Sequence, residues 1–276
     1  MSIPPDFVFS QSNLQDFVDC PRRFELRYLL KQPWPAPQSE PTDEWEHRLL
    51  QGQRFHHLIY QFFSGLPAET LSLTVHDKEL SHWWQNLLSS TFLTELPERQ
   101  YPEFTLSAPF AGFRLTAKYD LIAVEPGRRL IIVDWKTFTP RAGTSYLRQR
   151  IQSRLYPLLM IEAGHTINCG TVDPSQIEMI YWFVEKPEAP LRFQYNQEEY
   201  LKDHEYLTEL IKNIVSRKPG EFELTFNEKL CAFCNYRSLC NRGERAGSLS
   251  DFDEELYQES EDTIQIDFDQ IGEIQF

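Results

Sequence analysis

The sequence predicts an α/β fold in which a helical first third leads into an antiparallel β-meander and then into further helices with one more strand. Three observations carry this. Apolar residues recur at helical spacing over much of the first hundred residues, three β-rich runs crowd between Glu103 and Phe138, and helical patterns resume from Ser145. With 276 residues, 41% hydrophobic and 25% charged, the chain can bury a core without a disulfide framework.

Taken in order, Phe9 to Leu30 places Leu14, Phe17 and Val18 at helical spacing, with Ser10 or Ser12 as N-cap and a turn at Cys20 and Pro21. The proline-rich stretch from Lys31 to Glu44 reads as a connector. Trp45 to Phe63 and Leu80 to Phe92 read as helices. The β-rich runs FTLSAPF, FRLTAKYDLIAV and RLIIVDWKTF are separated by Ala-Gly and Pro-Gly pairs, and such short connections imply antiparallel neighbours. Ser145 to Ala163 predicts a long helix kinked at Pro157, Ile177 to Val184 a strand, and Gln197 to Ser216 a final helix.

The formal charge of -14 is unevenly spread. Of the 41 acidic residues eleven lie from Glu244 onward, as does one of the 27 basic residues, leaving 30 acidic against 26 basic in the body. The body is therefore compatible with a nucleic-acid groove, and residues 244–276 are expected to form a mobile acidic tail. No run is long and apolar enough for a membrane span, and the first residues lack the features of a secretory signal, so a cytoplasmic location with no membrane partner is expected. No phosphate loop of the Gly-x4-Gly-Lys type occurs, so any helicase acting with this chain is a separate protein.

The chemistry concentrates in two places. Asp120 closes LTAKYD, while Asp134 and Lys136 lie in IIVDWKTF, where strand alternation turns both to one face and Trp135 to the other. Two close carboxylates favour a divalent cation with hard oxygen ligands, Mg or Mn. Such a cation polarises a phosphodiester oxygen, and the ammonium of Lys136 can orient the attacking water. An isolated Asp-x-Lys is an ordinary surface ion pair, but the apolar flank Ile131 to Val133 argues for a buried strand.

The second place is Cys231-x2-Cys234-x5-Cys240, with Cys20 as a candidate fourth thiolate. Four thiolates hold either an iron-sulfur cluster or structural zinc, and spacing alone does not choose. Cys169 has no such company and reads as a small core residue. Arg22, Arg23, Arg141, Arg148, Arg150 and Arg154 are candidates for tracking a single strand's phosphates.

The ordered series Gly52-x3-His56, Asp120, Asp134-x-Lys136 and Gln152-x3-Tyr156 resembles the RecB-like branch of the PD-(D/E)XK nuclease superfamily. With Cys20 and the three later cysteines it is similar to the iron-sulfur members, the AddB-type domains and the CRISPR-associated RecB-like exonucleases. The resemblance implies a restriction-endonuclease-like core, a central mixed β-sheet flanked by helices. It also implies metal ligation by His56, Asp120, Asp134 and the main-chain carbonyl of Trp135, catalysis by Lys136, and Gln152 and Tyr156 lining the site. His57 follows His56 directly, and the sequence leaves open which ring faces the metal. Glu103 resembles an acidic position near the catalytic sheet, without a settled role.

The resulting expectation is one nuclease domain over residues 1–243, with a helical part at 9–100, the catalytic sheet and helices at 101–216 and a cysteine-rich segment at 217–243. It is a Mg- or Mn-dependent DNA exonuclease with a 4Fe-4S cluster, acting on single strands or DNA ends in repair, recombination or CRISPR adaptation. The competing readings are a DNA-binding or assembly subunit of a helicase-nuclease or CRISPR integration complex, and a zinc-stapled protein.

Overall fold

The computed structural model describes residues 3–33, 43–137 and 144–243; most of the proline-rich connector, Arg141 and the acidic tail lie outside them. The chain begins with strand β1 (Val8–Ser10), helix α1 (Gln11–Asp19) and a short helix α2 (Pro21–Phe24) that widens into a π-turn at Glu25–Leu29. Helices α3 (Asp43–Phe63), α4 (Ala68–Ser72) and α5 (Lys78–Ser89) follow. Next come strands β2 (Arg99–Phe110), β3 (Phe113–Glu125) and β4 (Arg129–Lys136), then α6 (Thr144–Gln149), α7 (Ile151–Ala163) and α8 (His165–Asn168). Strands β5 (Ile177–Phe183) and β6 (Leu191–Gln194) and helix α9 (Gln197–Ser216) complete the sheet and its cover.

The long strand β3 organises the sheet. Residues 113–119 and 121–124 of it pair antiparallel with β2, the ladder skipping Asp120 and Glu103. On its other edge, β1 runs parallel to Arg114–Thr116 and β4 antiparallel to Leu121–Glu125, leaving a gap at residues 117–120. Beyond β4 come β5, parallel, and β6, antiparallel, so the sheet is mixed. Alternation along these strands feeds two cores. One packs Phe9, Leu14, Phe24, Leu155, Leu158 and Ile211 on the face covered by α1, α7 and α9. The other packs Phe55, Trp83 and Trp84 from α3 and α5 against Ile131, Val133, Trp135 and Trp182.

Three local expectations are corrected. The helix expected after Phe9 is capped at Ser10, one of the two expected caps, with a capping box to Asn13, but an unexpected strand precedes it, since fully buried Phe9 belongs to β1, which takes the open edge of β3. The helix from Ser145 is interrupted at Arg150, whose backbone is extended (φ −65°, ψ 149°), while Pro157 lies inside α7 without ending it. The buried Arg150 guanidinium explains the break, since it donates to Tyr146 Oη at 3.0 Å and faces Asp19 at 3.6 Å. Cys169 is exposed rather than in the core, because it terminates α8 in the left-handed region at φ 57°. Among the described residues no helix is long and apolar enough to cross a membrane.

Candidate functional site

The gap in β3 opens a cleft of about 590 Å³ in which the two helical layers meet. Its floor is a row across the sheet: the β2–β3 register sets Glu103 opposite Asp120, and β3–β4 pairing stops one step short of Asp120 and Asp134. The pleat breaks at this row. Tyr119 turns to one core and Leu121 to the other, with Ile122 back on the first, so the alternation along β3 reverses at Asp120. Glu103, across from it, has φ +51°. Such backbone is costly for a side chain other than glycine and recurs at functional sites.

Two groups of side chains share the cleft. In the first, His56 of α3 places Nδ1 3.4 Å from Asp120 Oδ1, and one donor atom from each of His56, Glu103 and Asp120 lies within 4.8 Å of the others. Asp120 Oδ2 accepts the main-chain N–H of Trp135 at 2.9 Å. Burial works against its ionised form, yet His56, the Trp135 amide and Lys136 together hold the carboxyl below the usual range. Glu103 also pairs with Lys118. One nitrogen and two carboxylates, held half-buried, are a donor set suited to Mn or Mg.

In the second group Lys136 Nζ lies 2.8 Å from Asp134 Oδ2 and donates to Gln152 Oε1 at 3.2 Å, and the Gln152 amide donates to Asp134 Oδ1. All three side chains are buried. Burial, opposed by Lys136 and reinforced by Asp120, pushes the Asp134 carboxyl up to about 6. Tyr156 lies one turn beyond Gln152, with its ring 4.7 Å from Tyr119 and its hydroxyl donating to the Lys118 carbonyl at 2.8 Å. Tyr181, opposite Asp134 on β5, donates to Gln152 Oε1 at 3.4 Å.

The structure thus brings His56 to Asp120 and Asp134 to Lys136 and Gln152, and it separates the neighbouring histidines, since His57 stacks on Tyr60. Sequence reasoning missed Lys118 and Tyr181 and left Glu103 unplaced. Counting both strands outward from the Ala111-Gly112 turn would have set Glu103 against Asp120. The arginines proposed for phosphates are engaged with carboxylates: Arg22 with Glu25, Arg23 with Asp16 and Asp19, Arg148 with Glu199, and Arg154 with Asp203.

The cysteines converge away from the cleft. Cys20 joins α1 to α2, while Cys231, Cys234 and Cys240 lie in turns beyond α9. Burial and the thiols of Cys234, Cys20 and Cys240 push the Cys231 thiol up to about 11. The Arg23 guanidinium neighbours Cys234 and Cys20. Backbone and ring contacts already join the two ends, with Arg22 N–H donating to the Glu223 carbonyl at 3.0 Å and Phe24 stacked on Phe222 at 6.0 Å. Among the described residues no three of these sulfurs lie within 4.8 Å of one another.

A mixed sheet lies between two helical layers and is broken at a row of acids beside a buried lysine. The sequence profile of the PD-(D/E)XK nuclease superfamily matches residues 8–241, and the chain belongs to that superfamily. Its fold is similar to that of a candidate exonuclease from Eubacterium rectale, 10% identical, with a TM-score of 0.50 over 78% of this chain and 82% of the other. The structure of SSO0001 is 11% identical with a TM-score of 0.39, covering 84% of this chain and 85% of its own. No curated protein matches the sequence.

Proposed function

We propose that this chain is a Mg- or Mn-dependent deoxyribonuclease of the RecB-like branch, acting on single-stranded DNA or DNA ends. The observation that carries the reading is the meeting, in one cleft, of the His56–Glu103–Asp120 group with the Asp134–Lys136–Gln152 group. His56, Glu103 and Asp120 are the assigned metal ligands, with Asp134 and the main-chain carbonyl of Trp135 as further oxygen donors. A divalent cation held there supplies Lewis-acid polarisation of the scissile phosphodiester.

The rest is done by the chain. Asp134 and Gln152 fix the Lys136 ammonium between them, so its charge is aimed into the cleft without a search over rotamers. That ammonium orients water for in-line attack and offsets the charge that grows on the phosphoryl oxygens. Tyr181 and Tyr156 hold Gln152 and the β3 backbone in register from either side.

The four cysteines are assigned to a 4Fe-4S cluster that staples residues 217–243 to α1 and α2. Zinc held by the same four thiolates is the competing reading, and visible absorption with iron analysis separates the two. Residues 1–243 then form one nuclease domain followed by an acidic tail, working in DNA repair, recombination or CRISPR adaptation with a separate helicase or integration proteins.

The test is degradation of end-labelled single-stranded and duplex DNA with added Mn or Mg. Wild type is expected to cleave and Lys136→Ala to lose at least about 100-fold in rate while keeping the wild-type circular-dichroism spectrum. Full activity in Lys136→Ala overturns the assigned mechanism. Tight DNA binding with no cleavage in either metal identifies the chain as a binding subunit instead.

A further inference from the structure

Helix α3 turns two faces in two directions. Gln51, Phe55, Leu58 and Ile59 are buried, whereas Gln53, His56, His57 and Tyr60, three and four residues apart, line the cleft. Of these, His56 is taken by Asp120. Tyr60 is 40% exposed, and the His57 ring lies roughly parallel to it at a centroid distance of 6.3 Å and an interplanar angle of 30°. Around them the cleft wall is polar, with Gln53, Glu103 and Lys118.

Tyr60, partly exposed within a polar cleft and with the His57 ring beside it, keeps aromatic surface available to a bound group. A flat apolar face joined to groups that suit a polar wall matches this lining, and a nucleobase on a sugar-phosphate strand has both. Tyr60 stands four residues, about 6 Å of helix rise, from His56, a step on the scale of one nucleotide of an extended strand.

We propose that Tyr60, backed by His57, is a stacking platform for one unpaired nucleobase of the substrate strand, adjoining the phosphodiester held at His56, Glu103 and Asp120. This rests on the nuclease reading and gives it a basis for strand preference. In a duplex both faces of an internal base are covered by its neighbours, so the platform serves single strands and frayed ends.

The experiment measures fluorescence anisotropy of the full chain, without added divalent cation, against a labelled oligothymidylate and an abasic strand of equal length. Tyr60→Ala is expected to weaken oligothymidylate binding roughly 5- to 150-fold, the loss of one base–aromatic stack, and Tyr60→Phe to retain most of it. The abasic strand should bind wild type weakly and with no dependence on residue 60. Equal oligothymidylate affinity in wild type and Tyr60→Ala overturns the platform, as does an equal loss on both strands. Wild type that neither binds nor cleaves DNA overturns the nuclease reading itself, whereas a cleaving wild type with an indistinguishable Tyr60→Ala overturns the platform alone.

Discussion

Glu103 and Asp120 face each other across β2 and β3 at the row where the alternation along β3 reverses, and Glu103 reaches this position with a left-handed backbone. The strain and the proposed ligand role reside in the same residue, and two readouts, melting temperature and Mn affinity, separate them. Glu103→Gly relieves about 1 kcal/mol of backbone strain, because glycine adopts positive φ freely, and removes one carboxylate from the cleft. The expected result is an unchanged or raised melting temperature with Mn affinity, measured by calorimetry, weakened roughly tenfold or more. A variant that binds Mn like wild type would show that Glu103 is not a ligand.

This row also marks how far the sequence could be read. The meander, α9 and the face shared by Asp134 and Lys136 were legible, because turn residues and period-two or period-3.6 patterning are local signals. The three-residue strand β1 was not, since its only support is a parallel pairing to residues more than a hundred positions away. The break at Arg150 was hidden for a related reason, since one of the groups its buried guanidinium faces is Asp19, on another helix. The position of Glu103 was hidden by its lack of any pattern of its own, the pairing with Asp120 existing only once both strands are registered.

Helix α7, which carries Gln152 and Tyr156, is capped from outside. Arg150 provides no side-chain cap, and the buried N–H of Ile151 donates instead to Gln15 Oε1 of α1 at 3.0 Å; Gln15 in turn donates to Asp19 at 2.8 Å. Gln15→Leu leaves that N–H buried without an acceptor, at a cost of about 1–3 kcal/mol. Melting should fall by roughly 2–4 °C per kcal/mol. Because Gln152 is the next residue, turnover should fall more than DNA affinity. A variant with wild-type stability and turnover would remove Gln15 from the support of the site.

Asp203 offers a pH test remote from the cleft. It accepts from Tyr195 Oη at 2.9 Å and pairs with Arg154 at 2.8 Å, yet burial raises its carboxyl above the usual range against both. The native state therefore holds this proton more tightly than the unfolded chain. The group's contribution to stability is fully present below the unfolded pKa and is lost as pH rises through the folded one. Denaturant melts compared across the carboxylate range should show this slope in wild type and its reduction in Asp203→Asn; an identical slope in both would contradict the assignment.

The two assigned metal sites lie in different parts of the fold, so removing each should have a different signature. The cleft ligands come from α3, β2 and β3, all of which have their own sheet or core contacts, so stripping Mn or Mg with EDTA should stop DNA cleavage reversibly and shift melting little. Cys20 and Cys231 are more than two hundred residues apart in sequence, where a group bound to both would restrict the unfolded chain most. Cys234→Ser should therefore abolish visible absorption and bound iron and lower the melting temperature. The Phe24–Phe222 stack and the Arg22–Glu223 hydrogen bond remain, so the protein should still fold. Anaerobically purified wild type that is colourless and carries one zinc would replace the cluster with a zinc staple. Nuclease activity lost in step with iron, before any loss of Mn affinity, would mean that the staple also positions α1 and, through Gln15, the catalytic face of α7.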